Sequence, residues 1–437
     1  MFSNDKGVPV VMAKYVSLFC GVLTPLLLLI VGHSVGFADN PGQSFLALEF
    51  QEIRGYVSTE ARLFPEQQAF PGQSRHEISM AAEPEYYIEW ENYTSLTVTP
   101  FARVDSADSR RTHVDMREFL LRIVPGNWTL AAGLGKVFWG VTESKHLIDI
   151  VNQTDIIESL NGEDKFGQPM VNLSFTYDWG FVDMFVMPYF RERLFPSRSG
   201  RLRGSVLVDA SQTRFSSGAG RWHPDFAVRY SNSVGGWDIG VSNFYGTNRE
   251  PTLNSLGLSA DGTVVLVPEY ELVNQSSIDL QYTIGAWLWK LESLFRQGQK
   301  NALGTEQNFY SFIGGFEYNV FGAFKTNSDL GLLIEYMRDS RLNKSTDLLQ
   351  HDVFTGIRWT LNDEPDTQAL VGVFQDLRES TRQFFVEASR RINDSMRASV
   401  ELQIFSSIES GDILSDLRDD DFVGDEIACY YCHIVWR

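Results

Sequence analysis

Cysteine is scarce, with three cysteines among 437 residues. Cys20 lies in an N-terminal apolar stretch, so Cys429 and Cys432 alone remain, too few for the disulfide framework of a small secreted domain. Both precede His433 in the C-x-x-C-H spacing of a c-type haem site. Only four residues follow His433, and cysteines at this spacing on a strand point to opposite faces, where they can neither hold one porphyrin nor bridge each other. We therefore expect no haem and no other cofactor.

Excess positive charge is also absent. Lysine and arginine together number 37, against 56 aspartates and glutamates, and the formal net charge is −19. An acidic chain has no electrostatic reason to bind a polyanion. We therefore expect no nucleic-acid partner.

The common catalytic and metal-binding motifs are missing. The chain contains no G-x-S-x-G, no H-E-x-x-H and no glycine-rich phosphate loop, and its histidines are scattered. The acidic run at 409–421 lacks the glycine-centred spacing of a calcium loop. We therefore predict no catalytic residue and no metal site. A hydrolase whose site is assembled from distant strands remains an alternative, because such a site needs no local motif.

Long apolar runs are confined to the N-terminus. The run at 15–38 ends in the small residues Gly36 and Ala38, and its core is too short for a membrane anchor. This pattern predicts a signal peptide over 1–38. No later stretch approaches the ~18 apolar residues that a membrane helix needs. We predict a short lead-in at 39–51 and one domain over 52–437.

Strict alternation of apolar and polar residues fills that domain. In 396–404 the even-numbered residues are apolar and the odd-numbered residues are polar or charged, as on a strand with one apolar face and one solvent-facing polar face. The same pattern recurs in 276–284, 287–295, 312–320 and 353–359. We predict eighteen strands, over residues 52–64, 77–91, 94–105, 113–124, 127–138, 169–179, 181–192, 225–232, 236–246, 276–284, 286–297, 308–321, 327–340, 351–361, 368–378, 383–393, 396–408 and 422–436.

The connections between these strands alternate between short and long. Short turns on the periplasmic side and long outer loops are typical of outer-membrane barrels. The apolar faces are rich in aromatic residues, which suits lipid and its interfaces, and a closed barrel leaves no backbone group unpaired in hydrocarbon. The predicted fold is therefore all-β, a transmembrane antiparallel β-barrel of about eighteen strands, with sixteen as the alternative.

The connection at 139–168 is the chemically densest segment. It would narrow the channel if it folds into the barrel mouth, and its pore-lining candidates are then Glu143, Lys145, His146 and Asp149. A purely external loop is an equal alternative. Its middle, 144–154, could form a short helix.

Five arginines cluster shortly after this segment. Guanidinium groups pair with carboxylates and phosphates. Arg191 and Arg193 are further pore candidates, and Arg198, Arg201 and Arg203 are candidates for anion binding by an outer loop. Contacts with acidic loops or with lipopolysaccharide phosphates are at least as plausible.

Arg117 completes the candidate set. It shares its strand parity with Asp115, and we place that face toward the lumen. The neighbouring Glu118 would then point outward.

The stretches DMREFLLRI, GKVFWGVTESKHLIDIVNQTD and FRERLFPSRSGRLR resemble a porin-like family of Gram-negative outer-membrane β-barrel proteins. The resemblance covers the first half of the barrel. It implies a barrel and solute passage, and it assigns no site residue.

We predict a channel for passive diffusion of small hydrophilic solutes, located in the cell outer membrane. A transporter of hydrophobic compounds, an outer-membrane enzyme and a structural barrel are the alternatives. The expected partners are outer-membrane lipid, lipopolysaccharide, the barrel-assembly machinery and small solutes. Porins of this size are often trimers, and the sequence leaves a homotrimer open.

Overall fold

The computed structural model describes residues 48–409, 412 and 414–435, with side chains up to Tyr431. The predicted signal peptide and most of the lead-in lie outside this range. The structure has twenty-one strands. They are β1 (Leu48–Leu63), β2 (His76–Trp90), β3 (Thr94–Asp105), β4 (His113–Ile123), β5 (Trp128–Gly135), β6 (Gln168–Tyr177), β7 (Gly180–Met187), β8 (Arg214–Phe215), β9 (Asp225–Val234), β10 (Trp237–Thr247), β11 (Thr252–Leu258), β12 (Val264–Tyr270), β13 (Leu272–Ile284), β14 (Trp287–Gln297), β15 (Phe309–Val320), β16 (Asp329–Asp339), β17 (His351–Thr360), β18 (Gln368–Asp376), β19 (Arg382–Asn393), β20 (Met396–Ser406) and β21 (Phe422–Val435).

Eighteen of these strands close into one antiparallel barrel. Each strand pairs with its neighbour in the chain order, and β1 pairs with both β2 and β21, which closes the ring. Every predicted strand is confirmed, and the sixteen-strand alternative is wrong. The main differences are at strand ends: β1 begins at Leu48, inside the predicted lead-in, and β7 ends at Met187, before the predicted 192.

Short turns and long loops separate to opposite rims, as predicted. On one rim, strands β13 and β14 are joined by a tight turn at Gly285, whose φ of +60° favours glycine. On the other rim lie the long connections 136–167, 188–224 and 248–271. This asymmetry gives the barrel a turn side and a loop side.

Aromatic side chains ring the barrel near the turn side. Trp179 is 54% exposed and stacks on Tyr177, with ring centroids 4.8 Å apart. Trp237 stacks on Tyr282 at 4.4 Å. Exposed indole rings at one height are the expected girdle at a membrane interface. No helix in the described part of the chain is long and apolar enough to cross a membrane.

A small sheet of β8, β11 and β12 lies in the loops and was missed by the sequence analysis. Its hairpin turns at Asp261 and Gly262. Asp-Gly between apolar runs is a hairpin signal that could have revealed it.

A β-bulge in β4 corrects the predicted orientation of Glu118. Val114 is 81% exposed and Phe119 49% exposed, although they lie five residues apart on the strand. Two outward side chains at opposite parity require one extra residue between them, and the register between β3 and β4 shifts here. Arg117 points inward, as predicted, and Glu118 shares that side.

The C-terminal strand closes the barrel. Cys429 is disulfide-bonded. The side chain of Cys432 lies outside the described residues. Strand β21 pairs with β1 over residues 423–435 and with β20 over residues 422–429, which confirms its interpretation as a barrel strand.

Candidate functional site

Residues 136–167, hereafter the inner loop, fold into the barrel and contact its inner wall. Glu292 of β14 points inward and is fully buried. Its carboxylate accepts hydrogen bonds from the backbone N–H groups of Val141 (2.7 Å), Thr142 (2.9 Å) and Ile148 (3.1 Å). Hydrogen bonds to an ionised carboxylate are among the strongest in proteins. One side chain of the wall therefore holds three amides of the loop.

A second inward-facing carboxylate repeats this arrangement. Glu335 of β16 accepts from the backbone N–H groups of Glu143 (2.9 Å) and Ser144 (2.8 Å). The inner loop forms turns and bends over 144–154, so the helix that the sequence suggested there is not formed. The backbone amides that a helix would have used internally are partly satisfied by the wall instead.

Apolar contacts bind the same loop to one half of the lumen. Ile148 and Val151 are fully buried. In a first cluster the loop contributes Trp139, Ile148, Ile150 and Val151. The wall contributes Met170, Phe185, Met187, Ala227, Phe244 and Val273 to the same cluster. The wall residues in the second cluster, with Leu147 of the loop, are Leu294, Phe309, Ile313, Leu333, Met337 and Phe354. The wall from β6 to β17 is therefore covered.

Lys145, a predicted pore residue, is held on this covered side. Its ammonium group contacts Asp347 and lies 3.9 Å from the carboxylate of Glu250. Asp149 is buried, with Lys165 at 3.4 Å. Both charges are thus used to fix the inner loop.

His146 and Glu163 join two parts of the inner loop. Nε2 of His146 lies 2.7 Å from the Glu163 carboxylate. Burial lowers the pKa of His146, but the hydrogen bond and charge of Glu163 outweigh it, so the pKa is raised overall. The same hydrogen bond lowers the pKa of Glu163. The pair is therefore strongest when both groups are charged.

Arginines secure the other end of the loop. Arg117 donates to Asp155 at 2.8 Å, and burial raises the pKa of the Asp155 carboxyl to about 7 against the opposing effect of Arg117. Arg191 bonds the Asp115 carboxylate at 2.5 Å and the Gly167 carbonyl at 3.0 Å. These guanidinium groups contact the loop or the wall beside it.

Arg193 has a similar role, because its Nε donates to Gln153 of the inner loop at 3.2 Å. The structure therefore places both Arg191 and Arg193 against the inner loop. Neither of them lines the cavity that remains open on the other side of this loop.

A cavity of about 450 Å³ remains between the inner loop and the opposite wall, built from β1, β3 and β17 to β21. Glu143 is the one predicted pore residue that lines it. Seven carboxylates line the cavity, those of Glu60, Glu143, Glu158, Asp164, Glu387, Glu401 and Glu426. Three guanidinium groups do so, those of Arg62, Arg103 and Arg358.

All three guanidinium groups are already ion-paired. Arg62 and Arg103 both contact Glu60, and Arg103 also contacts Glu158 at 2.7 Å. Arg358 contacts Glu143 at 2.6 Å.

The remaining carboxylates have no ion-pair partner among the described residues. They are those of Asp164, Glu387, Glu401 and Glu426. Glu401 accepts a hydrogen bond from the neutral side-chain amide of Gln403 at 2.9 Å. The cavity surface is therefore acidic.

The three predicted outer-loop arginines behave differently from one another. Arg201 forms a fully buried ion pair with Asp420 at 2.6 Å, and Arg203 donates to the carbonyls of Arg198 and Gly204. Arg198 is exposed, with its nearest carboxylate 3.9 Å away. Arg201 thus links two outer loops, which agrees with the alternative of contact with an acidic loop.

Most cavity-lining acids were not singled out from the sequence. Glu401 and Arg358 do belong to polar faces that alternation identified, so their inward orientation was available. Which of the inward-facing charged side chains remain accessible to solvent depends on where the inner loop packs. The path of that loop could be seen only in the structure.

Comparison with known proteins locates the fold. No protein-family model matches the chain. No curated protein matches it either. Among solved structures, OpdO of Pseudomonas aeruginosa superposes with a TM-score of 0.52 at 7% identity, over 89% of this chain and 97% of OpdO.

Two further solved structures are more distant. OccK11 (OpdR) of Pseudomonas aeruginosa has a TM-score of 0.49 at 10% identity, over 89% of this chain and 96% of that one. Wzi of Escherichia coli, described as a carbohydrate-binding outer-membrane barrel, has a TM-score of 0.48 at 9% identity, over 87% and 84%. Both are too distant to support an inference.

The outer surface agrees with a membrane location. Side chains such as Trp289, Ile334 and Ile357 are exposed on the outer face at mid-strand. Apolar side chains in this position belong in hydrocarbon, and a closed barrel satisfies its backbone there. The chain is an eighteen-stranded antiparallel β-barrel with an apolar outer face suited to a membrane, and it shares its fold with OpdO.

Proposed function

We propose that this barrel is a channel for passive diffusion of small hydrophilic solutes, with a preference for cations. The observation that carries the proposal is the acidic lining of the open cavity, where carboxylates outnumber guanidinium groups by seven to three. Rings of carboxylates favour cations in channels of many kinds. Since each of the three guanidinium groups is ion-paired, the excess negative charge faces the solute.

The same lining weighs against the alternatives. A carrier of hydrophobic compounds needs an apolar path, and this cavity is lined mainly by charged and polar side chains. A hydrolase of the Ser–His type needs a histidine, and none is found among the described residues that line the cavity. The proposal therefore includes no catalytic activity. Lipopolysaccharide contacts, the assembly machinery and a homotrimer remain predictions.

Reversal potentials across a planar lipid bilayer test the proposal. Under a potassium chloride gradient the wild-type channel should give a potential of the sign for cation preference. The triple substitution Glu387→Gln, Glu401→Gln and Glu426→Gln removes three unpaired charges from the cavity and should shift the potential toward zero.

The matched control is Asp261→Asn, which removes a carboxylate that is 65% exposed on the outer hairpin. It should leave the potential unchanged, because exposed charges beyond a Debye length of ~8–10 Å are screened. An anion-selective wild-type channel, or a triple variant with the wild-type potential, would contradict the proposal.

A further inference from the structure

A histidine and two carboxylates converge where the inner loop meets the barrel wall. His113 begins β4, and Asp155 and Glu158 belong to the inner loop. One ligand atom from each lies within 4.8 Å of the other two. Nε2 of His113 is 3.9 Å from Asp155 and 3.8 Å from Glu158. These separations are too long for hydrogen bonds.

Each of the three residues has a buried polar atom without a hydrogen-bond partner. These atoms are Nε2 of His113, Oδ1 of Asp155 and Oε1 of Glu158. The side chains of Asp155 and Glu158 are 0% and 4% exposed. Buried polar atoms without a partner are costly and rare in folded proteins. A bound cation would give the lone pairs of these atoms a partner.

The tautomer of His113 suits a metal ion. Its Nδ1 lies 3.1 Å from the backbone carbonyl of Arg111, which can only accept a hydrogen bond. Nδ1 therefore carries the proton, and the neutral ring presents the Nε2 lone pair to the carboxylates. A histidine fixed in this way by a carbonyl is the usual outer-sphere arrangement of metal ligands.

The remaining carboxylate oxygens are held by arginines. Arg117 donates to Oδ2 of Asp155 at 2.8 Å, and Arg103 contacts Oε2 of Glu158 at 2.7 Å. These contacts orient both carboxylates and leave one oxygen of each free. Oε1 of Glu158 is the free oxygen that lies 3.8 Å from Nε2 of His113, whereas the Asp155 oxygen at 3.9 Å is Oδ2, which also accepts from Arg117.

We propose that His113, Asp155 and Glu158 form a binding site for a divalent metal ion of the zinc class. Imidazole with carboxylate suits zinc and its first-row neighbours, whereas calcium and magnesium take oxygen ligands. Bonds of ~2.0–2.2 Å at tetrahedral angles place ligand atoms ~3.3–3.6 Å apart. Nε2 of His113 would approach each carboxylate by a few tenths of an ångström. The two carboxylates, whose ligand atoms lie within 4.8 Å of each other, would close around the ion. The ion would join β4 to the inner loop and so fix the width of the channel.

Zinc binding by the full-length barrel in detergent micelles tests the site. After treatment with a chelator and its removal, isothermal titration with zinc chloride should show one tight site per chain. His113→Gln should weaken this binding by more than ~10-fold, since loss even of an outer-sphere partner costs 10–100-fold. Glu158→Gln should do the same, and it serves as the second variant if one of the two fails to fold.

His223→Gln is the matched control, because His223 pairs with the single carboxylate of Asp225 at 3.2 Å. It should bind zinc like the wild type. The triple cavity variant used for the selectivity test should also retain the tight site, which separates this inference from the proposed cation preference. Absence of tight zinc binding, or equal binding by wild type and His113→Gln, would overturn the inference and leave a proton between the three groups.

Discussion

The two halves of the lumen are built from the same alternating strands but serve different purposes. From β6 to β17 the inward faces carry apolar residues such as Phe185 and Leu333, together with Glu292 and Glu335, and the inner loop covers them. From β18 through β21 to β1 the inward faces carry Glu387, Glu401, Glu426 and Glu60 among smaller and polar residues, and they line the open cavity. Strand alternation decides what faces inward, and the inner loop decides which inward residues a solute meets.

Removal of the two wall carboxylates should expose the covered half of the lumen as well. Of the variants considered, this one should change the channel current most. In the double variant Glu292→Ala and Glu335→Ala, the amides of Val141, Thr142 and Ile148 lose their acceptor, at ~1–3 kcal/mol for each buried group left unsatisfied. The inner loop should leave the wall part of the time, and single-channel conductance should rise.

Glu401→Ala is the control for that experiment, because it removes one inward carboxylate from the open half without a contact to the loop. This variant should change the ion selectivity of the channel but not the fluctuations of its single-channel current. If the double variant keeps the conductance and noise of the wild type, the two carboxylates do not hold the loop.

The pH dependence of the His146–Glu163 pair should give a smaller effect. The raised pKa of His146 means that its contribution is complete below the unfolded value of about 6.5 and is lost as pH rises through the folded value. The lowered pKa of Glu163 means that its contribution is complete above about 4.3 and is lost as pH falls through its folded value. The pair therefore stabilises the loop most between these limits.

Current noise should accordingly increase as pH is raised from mildly acidic to alkaline. Glu292 and Asp149 also face His146, and both favour its charged form. In His146→Gln the noise should no longer depend on pH over this range. A pH dependence that persists in this variant would assign it to other groups.

The smallest effect on selectivity is expected from the double variant Arg191→Ala and Arg193→Ala. Their positive charges lie on the covered side, against Asp115 and Gln153, and away from the open cavity. The reversal potential should move toward cations by less than the shift produced, in the other direction, by the triple cavity variant. A larger shift would place both guanidinium groups in the conduction path.

The sequence predicted the barrel far better than the site. Period-two alternation is a local property, so all eighteen strands were found, with Thr94–Asp105 correct at both ends. The bulge beside Arg117 depends on pairing with β3, and it reversed the predicted side of Glu118. The path of the inner loop depends on wall residues distant in sequence: Glu292 lies 151 residues from Val141.

For the same reason the pore candidates were only partly identified. Glu143 lines the cavity, whereas Lys145, His146 and Asp149, from the same segment, face partners on the covered side or within the loop. The acids on β19 to β21 carry no motif. These acids line the cavity because the inner loop does not cover the part of the wall that carries them.

Thiol labelling of the two halves tests the central claim most directly. In lipid vesicles, cysteine at Glu401→Cys should react quickly with a charged, water-soluble methanethiosulfonate reagent, because this position lines the open cavity. Cysteine at Leu333→Cys should stay protected, because this side chain is 2% exposed beneath the inner loop. Equal rates at the two positions, or faster reaction at position 333, would contradict a lumen that is half filled and half open.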